Sequence, residues 1–365
     1  MTQLQQKHSI ITGRGATAIY LVLLHHASQR EARDGRRHIM LAPANVCYAA
    51  LYPALYANWS VRLCDVSPTD GNLTFDLVQQ AFDEHCPDAL LVPHMYGQPV
   101  ADMHDIQTLC NDRGVILIED CASAMGGTYV GGPLDGRPLG TVGDYAVFST
   151  GYAKVVDVGF GGFLTSESDS LGWAEELEHD LPLRSSQTEQ TETLFSKVYR
   201  TLRSYPDGVL DKAVYEALPT ASRDLFLFRL NNADKQIVVQ ELAKLGDIVQ
   251  RRRELLAACG QIWSQAQPEQ ARMFPYRPGS VPWRFSFFVR PELHRPLIDA
   301  CLQEGVPISD WYPSIAPMLG DMGSYPGAEE NERSILNLPL NTQTHDKTIM
   351  QVLSLLSGLQ RGEQR

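Results

Sequence analysis

The sequence predicts an α/β protein: a large domain with a mainly parallel sheet and helices on both faces, then a smaller C-terminal α/β domain. Three observations carry this. Short apolar runs alternate with helix-period segments from Ser9 to Thr165, the rhythm of a parallel sheet with crossover helices. A glycine turn at 13–16, Asp120, and the Ser149–Lys154 pair all fall just beyond such runs, where ligands of these sheets bind. From Pro282 the pattern changes to a shorter strand–helix series. The expected boundaries are 1–235 for the large domain, with 171–225 a helical, insertion-like segment, and 236–365 for a long connecting helix and the small domain.

Taken in order, Ser9–Thr12 reads as a strand, Gly13–Ala16 as a turn and Thr17–Ala32 as a helix. His38–Leu41 is a strand and Val46–Ala57 a helix interrupted by Pro53. Strands at Ser60–Asp65, Ala89–Pro93 and Val115–Glu119 alternate with helices at Thr74–Glu84 and Met103–Arg113. Tyr145–Phe148 is a buried strand by its continuous apolar run, and Phe163–Thr165 begins another. Ser185–Thr193 reads as an exposed loop leading into a helix. Asp234–Ala258 reads as one amphipathic helix, with Arg251–Arg253 a solvated basic face near its end. Trp283–Val289 and Val306–Ser309 are expected strands; Pro291–Glu304 and Thr348–Leu359 are expected helices.

Composition narrows the function. The 365 residues are 44% hydrophobic and 20% charged, enough for a sizeable core. A formal charge of −12 leaves no basic face for nucleic acid. No apolar run approaches the ~20 residues of a membrane span, and the first residues lack the apolar centre of a signal peptide. Seven cysteines without a Cys-x-x-Cys pair fit a reducing cytoplasm. No His, Cys and carboxylate residues show metal-ligand spacing, so no metal is expected.

The chemistry-bearing residues are few. A strand, a glycine turn and a helix start form an anion site. The same turn spells Gly13-x-Gly15-x-x-Ala18, a loose dinucleotide fingerprint, but the next strand ends in Ala42-Pro43-Ala44-Asn45 without the acid that holds a ribose. Asp120 closes a buried strand; its carboxylate either caps the next turn or pairs with a cation such as a protonated pyridine nitrogen. Ser149 is a turn former or a phosphate donor. Lys154 is the only lysine between Lys7 and Lys197. It is either a solvated surface charge or a desolvated amine with a lowered pKa, able to form an imine. Glu119 alternates away from Asp120 and carries no assigned chemistry. Phosphate turn, strand-end acid, serine and lysine together fit pyridoxal phosphate.

Ordered segments extend this. Gly15-Ala16-Thr17-Ala18, Ala42-Pro43-Ala44-Asn45, Pro93-His94-Met95-Tyr96-Gly97-Gln98-Pro99 with Asp102-Met103, Ile118-Glu119-Asp120-Cys121-Ala122-Ser123, and Phe148-Ser149 through Lys154 to Gly162 recur in one order. The chain resembles the DegT/DnrJ/EryC1/StrS family of pyridoxal-phosphate-dependent sugar aminotransferases. The resemblance implies a homodimer with sites at the subunit interface. It also implies transfer of an amino group from glutamate or glutamine to a keto sugar, usually nucleotide-linked, or to a keto-cyclitol. It makes Lys154 the imine lysine, Asp120 the partner of the ring nitrogen, and Ser149 with Gly15 and the amides of Ala16 and Thr17 the phosphate site. Ser123 falls near the phenolic oxygen. Some positions depart from the family: the lead into the turn is short, and the ring-stacking aromatic falls at Cys47, beside Tyr48. The asparagine that reaches the partner subunit's phosphate falls at Leu227, near Asn231 and Asn232. Arg14, Arg229 and Arg284 are candidates for holding a phosphate-bearing acceptor. Other readings are a different carbanion reaction, which relatives that dehydrate sugars run with histidine in place of the lysine, and a non-catalytic binding role.

Overall fold

The computed structural model describes residues 8–32, 35–167, 170–185, 190–191, 194–195, 197–198, 212–340 and 345–363. The expected loop at 185–193 lies largely outside these, as does 199–211 of the 171–225 segment. The main sheet has seven strands: β1 (His8–Thr12), β2 (Ile39–Pro43), β3 (Ser60–Cys64), β4 (Ala89–Pro93), β5 (Ile116–Asp120), β6 (Tyr145–Ser149) and β7 (Gly162–Ser166). Their spatial order is β1-β7-β6-β5-β4-β2-β3. All run parallel except β7, which is antiparallel to both of its neighbours. β2, β4, β5, β6 and β7 are buried along their whole length. That explains why they read as continuous apolar runs instead of alternating ones.

Helices α1 (Gly15–Gln29), α2 (Tyr48–Tyr56), α3 (Phe75–His85) and α4 (Met103–Arg113) connect the strands. Residues Gly15 through Leu23 of α1 are buried, so this helix is packed nearly all round and shows no polar stripe. Beyond β7 come α5 (Gly172–His179) and α6 (Lys212–Phe226).

The expected single helix at Asp234–Ala258 is two: α7 (Asn232–Leu242) and α8 (Leu245–Ala266), separated by a turn at Ala243–Lys244. The turn falls within the part that serves the main core, to which Val238, Leu242, Leu245 and Val249 belong. Farther along α8, Leu255, Cys259 and Trp263 join a second core with Phe285, Phe287 and Leu336. α8 therefore bridges the two apolar clusters. Arg251–Arg253 sits in mid-helix and is not a solvated face throughout: Arg252 donates to the carbonyls of Pro282, Trp283 and Lys154.

The second sheet is antiparallel, in the order β10-β9-β8. Its strands are β8 (Ala271–Met273), β9 (Phe285–Val289) and β10 (Ile335–Leu338). Helices α9 (Pro291–Gln303), α10 (Pro326–Ser334) and α11 (His345–Glu363) accompany it. Val306–Ser309 is not a strand; only Ser309 bridges to Asn337. Pro307 has no N–H for a ladder. Among the described residues no helix is long and apolar enough to cross a membrane.

Candidate active site

Because β1, β5 and β6 are parallel, Thr12, Asp120 and Ser149 end at the same edge of the sheet. The anion turn, the acid and the lysine loop thus share one crevice. At its phosphate end, Arg14 is extended (φ −153, ψ 168) and α1 starts at Gly15 without a side-chain cap, leaving its first amides to face the crevice. The fit there depends on missing side chains. A Cβ on Gly162 would lie 2.3 Å from the Gly15 nitrogen. A Cβ on Gly15 would meet the Phe148 carbonyl at 3.1 Å and the Ser149 Cβ at 3.4 Å. The Ser149 hydroxyl accepts from the Gly151 amide at 3.2 Å. The Thr17 hydroxyl is spent on the Phe226 carbonyl at 2.7 Å, so only its amide is left for an anion. Arg14 joins this end: a Cβ at Gly151 would be 3.2 Å from Ser149 Oγ and 3.7 Å from Arg14 Nη1.

Lys154 lies on the loop between β6 and β7. Asp157 braces this loop by accepting from the amides of Ala153 and Gly159. Lys154 and Asp120 sit in each other's field, yet among the described residues they form no ion pair, and Lys154 Nζ makes no hydrogen bond. Asp120 is 9% exposed; its Oδ1 accepts from Ala122 N at 2.9 Å, the carboxylate's one hydrogen bond among the described residues. Burial pushes the Asp120 carboxyl up, against the Ala122 amide and the charges of Lys154 and His94. A buried acid with too few partners suits a cation on its open oxygen. The sequence-based expectation that burial lowers the Lys154 pKa is corrected. Burial does oppose the ammonium, but Tyr312, Cys47 and Asp120 outweigh it, Arg284 acting the other way, and the pKa is raised. The carboxylate, the amine and the amides and hydroxyl of the turn lie together at one edge of the sheet. This donor set fits pyridoxal phosphate.

Glu119, left without a role by the sequence, organises the back of the site. It is fully buried and accepts from the amides of Gly140 (2.6 Å), Val142 (2.5 Å) and Gly143 (2.7 Å), from Tyr129 (3.3 Å) and from His94 Nε2 (3.3 Å). Burial pulls its pKa up, but His94 and the glycine amides hold it below the usual carboxylate value. His94 Nδ1 accepts from Val100 N. His94, Glu119 and Cys121 bring ligand atoms within 4.8 Å, a juxtaposition that sequence spacing did not reveal. The Glu119 oxygens and both His94 nitrogens are already bonded within the protein, so the cluster braces the 140–143 loop.

Cys47 lies in the field of Lys154 and Asp120. It packs with Tyr96, Trp283 and Tyr312. Tyr48 does not replace the missing ring; it packs against Tyr52, Phe226 and Trp311. Tyr312 and Trp283 were missed from the sequence. Tyr312 Oη lies 3.4 Å from Ser123 Oγ, and its ring stacks on Trp283 at 5.3 Å. Trp283 Nε1 in turn donates to the Ala153 carbonyl at 2.7 Å, beside Lys154. The only sequence signal was a Trp-Tyr-Pro cluster at 311–313 outside any periodic pattern. Leu227 is fully buried, and the Asn231 side chain caps α7 by accepting from Asp234 N at 2.8 Å. Arg229 donates to the Leu181 carbonyl instead of facing the crevice.

Comparison with known proteins gives the family. Residues 2–357 match the model of the DegT/DnrJ/EryC1/StrS aminotransferase family. A GDP-perosamine synthase of Caulobacter vibrioides is 28% identical over 165 residues, 45% of this chain and 41% of that protein. The chain thus aligns with less than half the length of that relative. A dTDP-4-dehydro-2,3,6-trideoxy-D-glucose 4-aminotransferase of Saccharopolyspora spinosa is 24% identical over 303 residues, 79% of this chain and 69% of that one. The crystal structure of the aminotransferase TlmJ from Streptoalloteichus hindustanus superposes with a TM-score of 0.73 at 22% identity, covering 96% of this chain and 86% of the other. With its fold, its crevice and a family match along nearly its whole length, the chain belongs to the DegT/DnrJ/EryC1/StrS aminotransferase family.

Proposed function

We propose that the chain is a pyridoxal-phosphate-dependent aminotransferase. It moves an amino group from glutamate or glutamine to a keto sugar, nucleotide-linked, or to a keto-cyclitol. One observation carries the reading: Asp120 and the Lys154 loop meet at the sheet edge where the anion turn lies, and the two charges act on each other without forming an ion pair. When bound, the cofactor supplies an electron sink, its protonated ring stabilising the electron pair released at the carbon bearing nitrogen. Asp120 would accept from the ring N–H and keep it charged. The amides of Ala16 and Thr17, Gly15, Ser149 and Arg14 would hold the phosphate. Ser123, backed by Tyr312, would meet the phenolic oxygen, and Cys47 would stand where relatives place an aromatic.

Lys154 Nζ would anchor the cofactor and, in the donor reaction, would take the proton from one carbon and return it to another; both roles start from the free amine, because an ammonium has no lone pair. A cation held by Asp120 cancels that carboxylate's pull on Lys154 and favours the free amine. Two relatives are named for nucleotide-linked sugars, which supports an acceptor of that class. A homodimer sharing its crevices at the interface belongs to the same proposal, and light scattering reads the subunit number.

The test is to incubate the protein with pyridoxal phosphate, L-glutamate or L-glutamine, and a panel of GDP- and dTDP-linked 4-keto sugars and keto-cyclitols. Mass spectrometry should find one acceptor whose carbonyl oxygen has been exchanged for an amino group. Deoxygenated product without amination would contradict the transfer reading.

A further inference from the structure

Arg284 stands at the entry to β9, beside Trp283. Its guanidinium lies 4.4 Å over the Trp283 ring, and Nη1 donates to Ser309 Oγ at 2.7 Å. Both partners are neutral. No carboxylate among the described residues forms an ion pair with it, although it is half-buried. A desolvated guanidinium without an anion is costly, and burial holds its pKa below the ordinary value. The environment sharpens the imbalance. Arg284 lies in the field of Lys154 and of Tyr312, so two cations adjoin one crevice. Among the described residues, the carboxylate acting most on Lys154 is Asp120, which the proposed function reserves for the ring nitrogen. Arg252, the next guanidinium, is committed to three backbone carbonyls.

We propose that Arg284 anchors the α-carboxylate of the amino donor. The inference rests on the aminotransferase reading and assigns it a donor subsite. A planar guanidinium matches a carboxylate with two parallel hydrogen bonds. Distance selects the donor over the acceptor. The donor's carboxylate is bonded to the reacting carbon and must lie beside Lys154. The phosphates of a nucleotide-linked sugar are separated from the reacting carbon by the sugar ring. Arg284 stacks on Trp283, whose Nε1 is bonded to the Ala153 carbonyl next to Lys154, and so fits the nearer group. The stacked Trp283–Tyr312 pair fixes its plane: Trp283 is tied to Ala153, and the Tyr312 amide donates to Tyr96 Oη at 3.2 Å.

The test uses the cofactor-loaded protein, its Arg284→Gln and Arg284→Lys variants, and three probes. The first is glutarate, a non-reacting dicarboxylate, titrated by calorimetry and by the absorbance of the lysine-bound cofactor. The second is L-glutamate in the single-turnover donor reaction. The third is dTDP or GDP. Expected in Arg284→Gln are a loss of about tenfold to hundredfold in affinity for glutarate and glutamate, with cofactor affinity retained. The rate at saturating glutamate stays within about threefold, a KM effect and not a kcat effect. Nucleotide affinity is unchanged. Arg284→Lys keeps the charge without the fork and falls between. Equal glutarate affinity in all three proteins, or no glutarate binding to the parent, overturns the proposal. So does a loss confined to the nucleotides, which would assign Arg284 to the acceptor's phosphates. If the parent never reacts with glutamate, the aminotransferase reading fails, while the glutarate titration still decides whether Arg284 binds carboxylates.

Discussion

The two ends of the crevice are built by different means. The phosphate end is backbone: amides of α1, glycines that let β7 touch the Gly15 nitrogen, and the Ser149 hydroxyl. Its parts come from two stretches, 13–17 and 148–162. The lysine end is side chains from distant stretches: Cys47, Asp120, Ser123, Lys154, Arg284 and Tyr312. An end made of backbone tolerates no added atoms but little else in its sequence is fixed. An end made of side chains tolerates local change in shape but depends on each charge. Substitutions at the two ends should therefore fail differently, in cofactor affinity and stability at one and in chemistry at the other.

The largest effect is expected at the lysine end. Asp120→Asn should leave the fold intact and slow the donor reaction by about a hundredfold or more, the order lost when one preorganised electrostatic partner is removed. Stopped-flow absorbance of the cofactor checks this. At the backbone end, Gly162→Ala forces a Cβ to within 2.3 Å of the Gly15 nitrogen. Overpacking of this kind should lower the thermal midpoint by about 2–6 °C and weaken cofactor binding with it. Calorimetry and a cofactor titration measure the two. Arg14→Gln should cost about tenfold in cofactor affinity, as for one charge-assisted hydrogen bond, and leave the donor reaction of the loaded enzyme unchanged. A rate defect in loaded Arg14→Gln would erase the distinction between the ends.

The smallest expected effect is in acid stability. Glu119 has its folded pKa held below its ordinary 4.5. It therefore contributes stability that is fully present above that value and lost as pH falls through the folded pKa. Asp120 has the opposite sign. Its folded pKa is raised above 3.8, so ionised Asp120 costs stability at neutral pH, and the cost disappears as pH falls through the raised value. Denaturant titrations from neutral pH downward should find Glu119→Gln less stable at neutrality with a flatter acid limb. Asp120→Asn should be no less stable than its parent at neutrality. The reverse ordering would contradict the assignment of Glu119 as brace and Asp120 as cofactor partner.

The same contrast decides what the sequence made legible. β1, its turn and α1, the strand-end Asp120, and the β6–Ser149–Lys154 run were readable because each is a local pattern of apolar run, glycine and polar terminus. Cys47 as the residue facing the crevice was readable only through the resemblance. The raised pKa of Lys154 was not readable, because the valines beside it in the chain are visible while Tyr312 and Asp120 reach it only through the fold. Glu119 was passed over because strand alternation tells direction but not what waits on the far side: three amides, a tyrosine and a histidine. Val306–Ser309 looked like a strand by hydrophobicity, but Pro307 removes a ladder donor. β8 and β10 are short and lie in stretches without strong periodicity. Arg252 looked solvated because its carbonyl partners, at Lys154, Pro282 and Trp283, come from other segments.

The measurement that bears most directly on the central claim is the absorbance spectrum of the purified protein with pyridoxal phosphate, for the parent and for Lys154→Ala, before and after L-glutamate. The account predicts a lysine-bound cofactor band in the parent, converted by glutamate to the pyridoxamine form. Lys154→Ala should lack that band and turn over at least about a thousandfold more slowly. A parent that binds the cofactor without that band, or a Lys154→Ala protein whose spectrum and response to glutamate match the parent's, would contradict it.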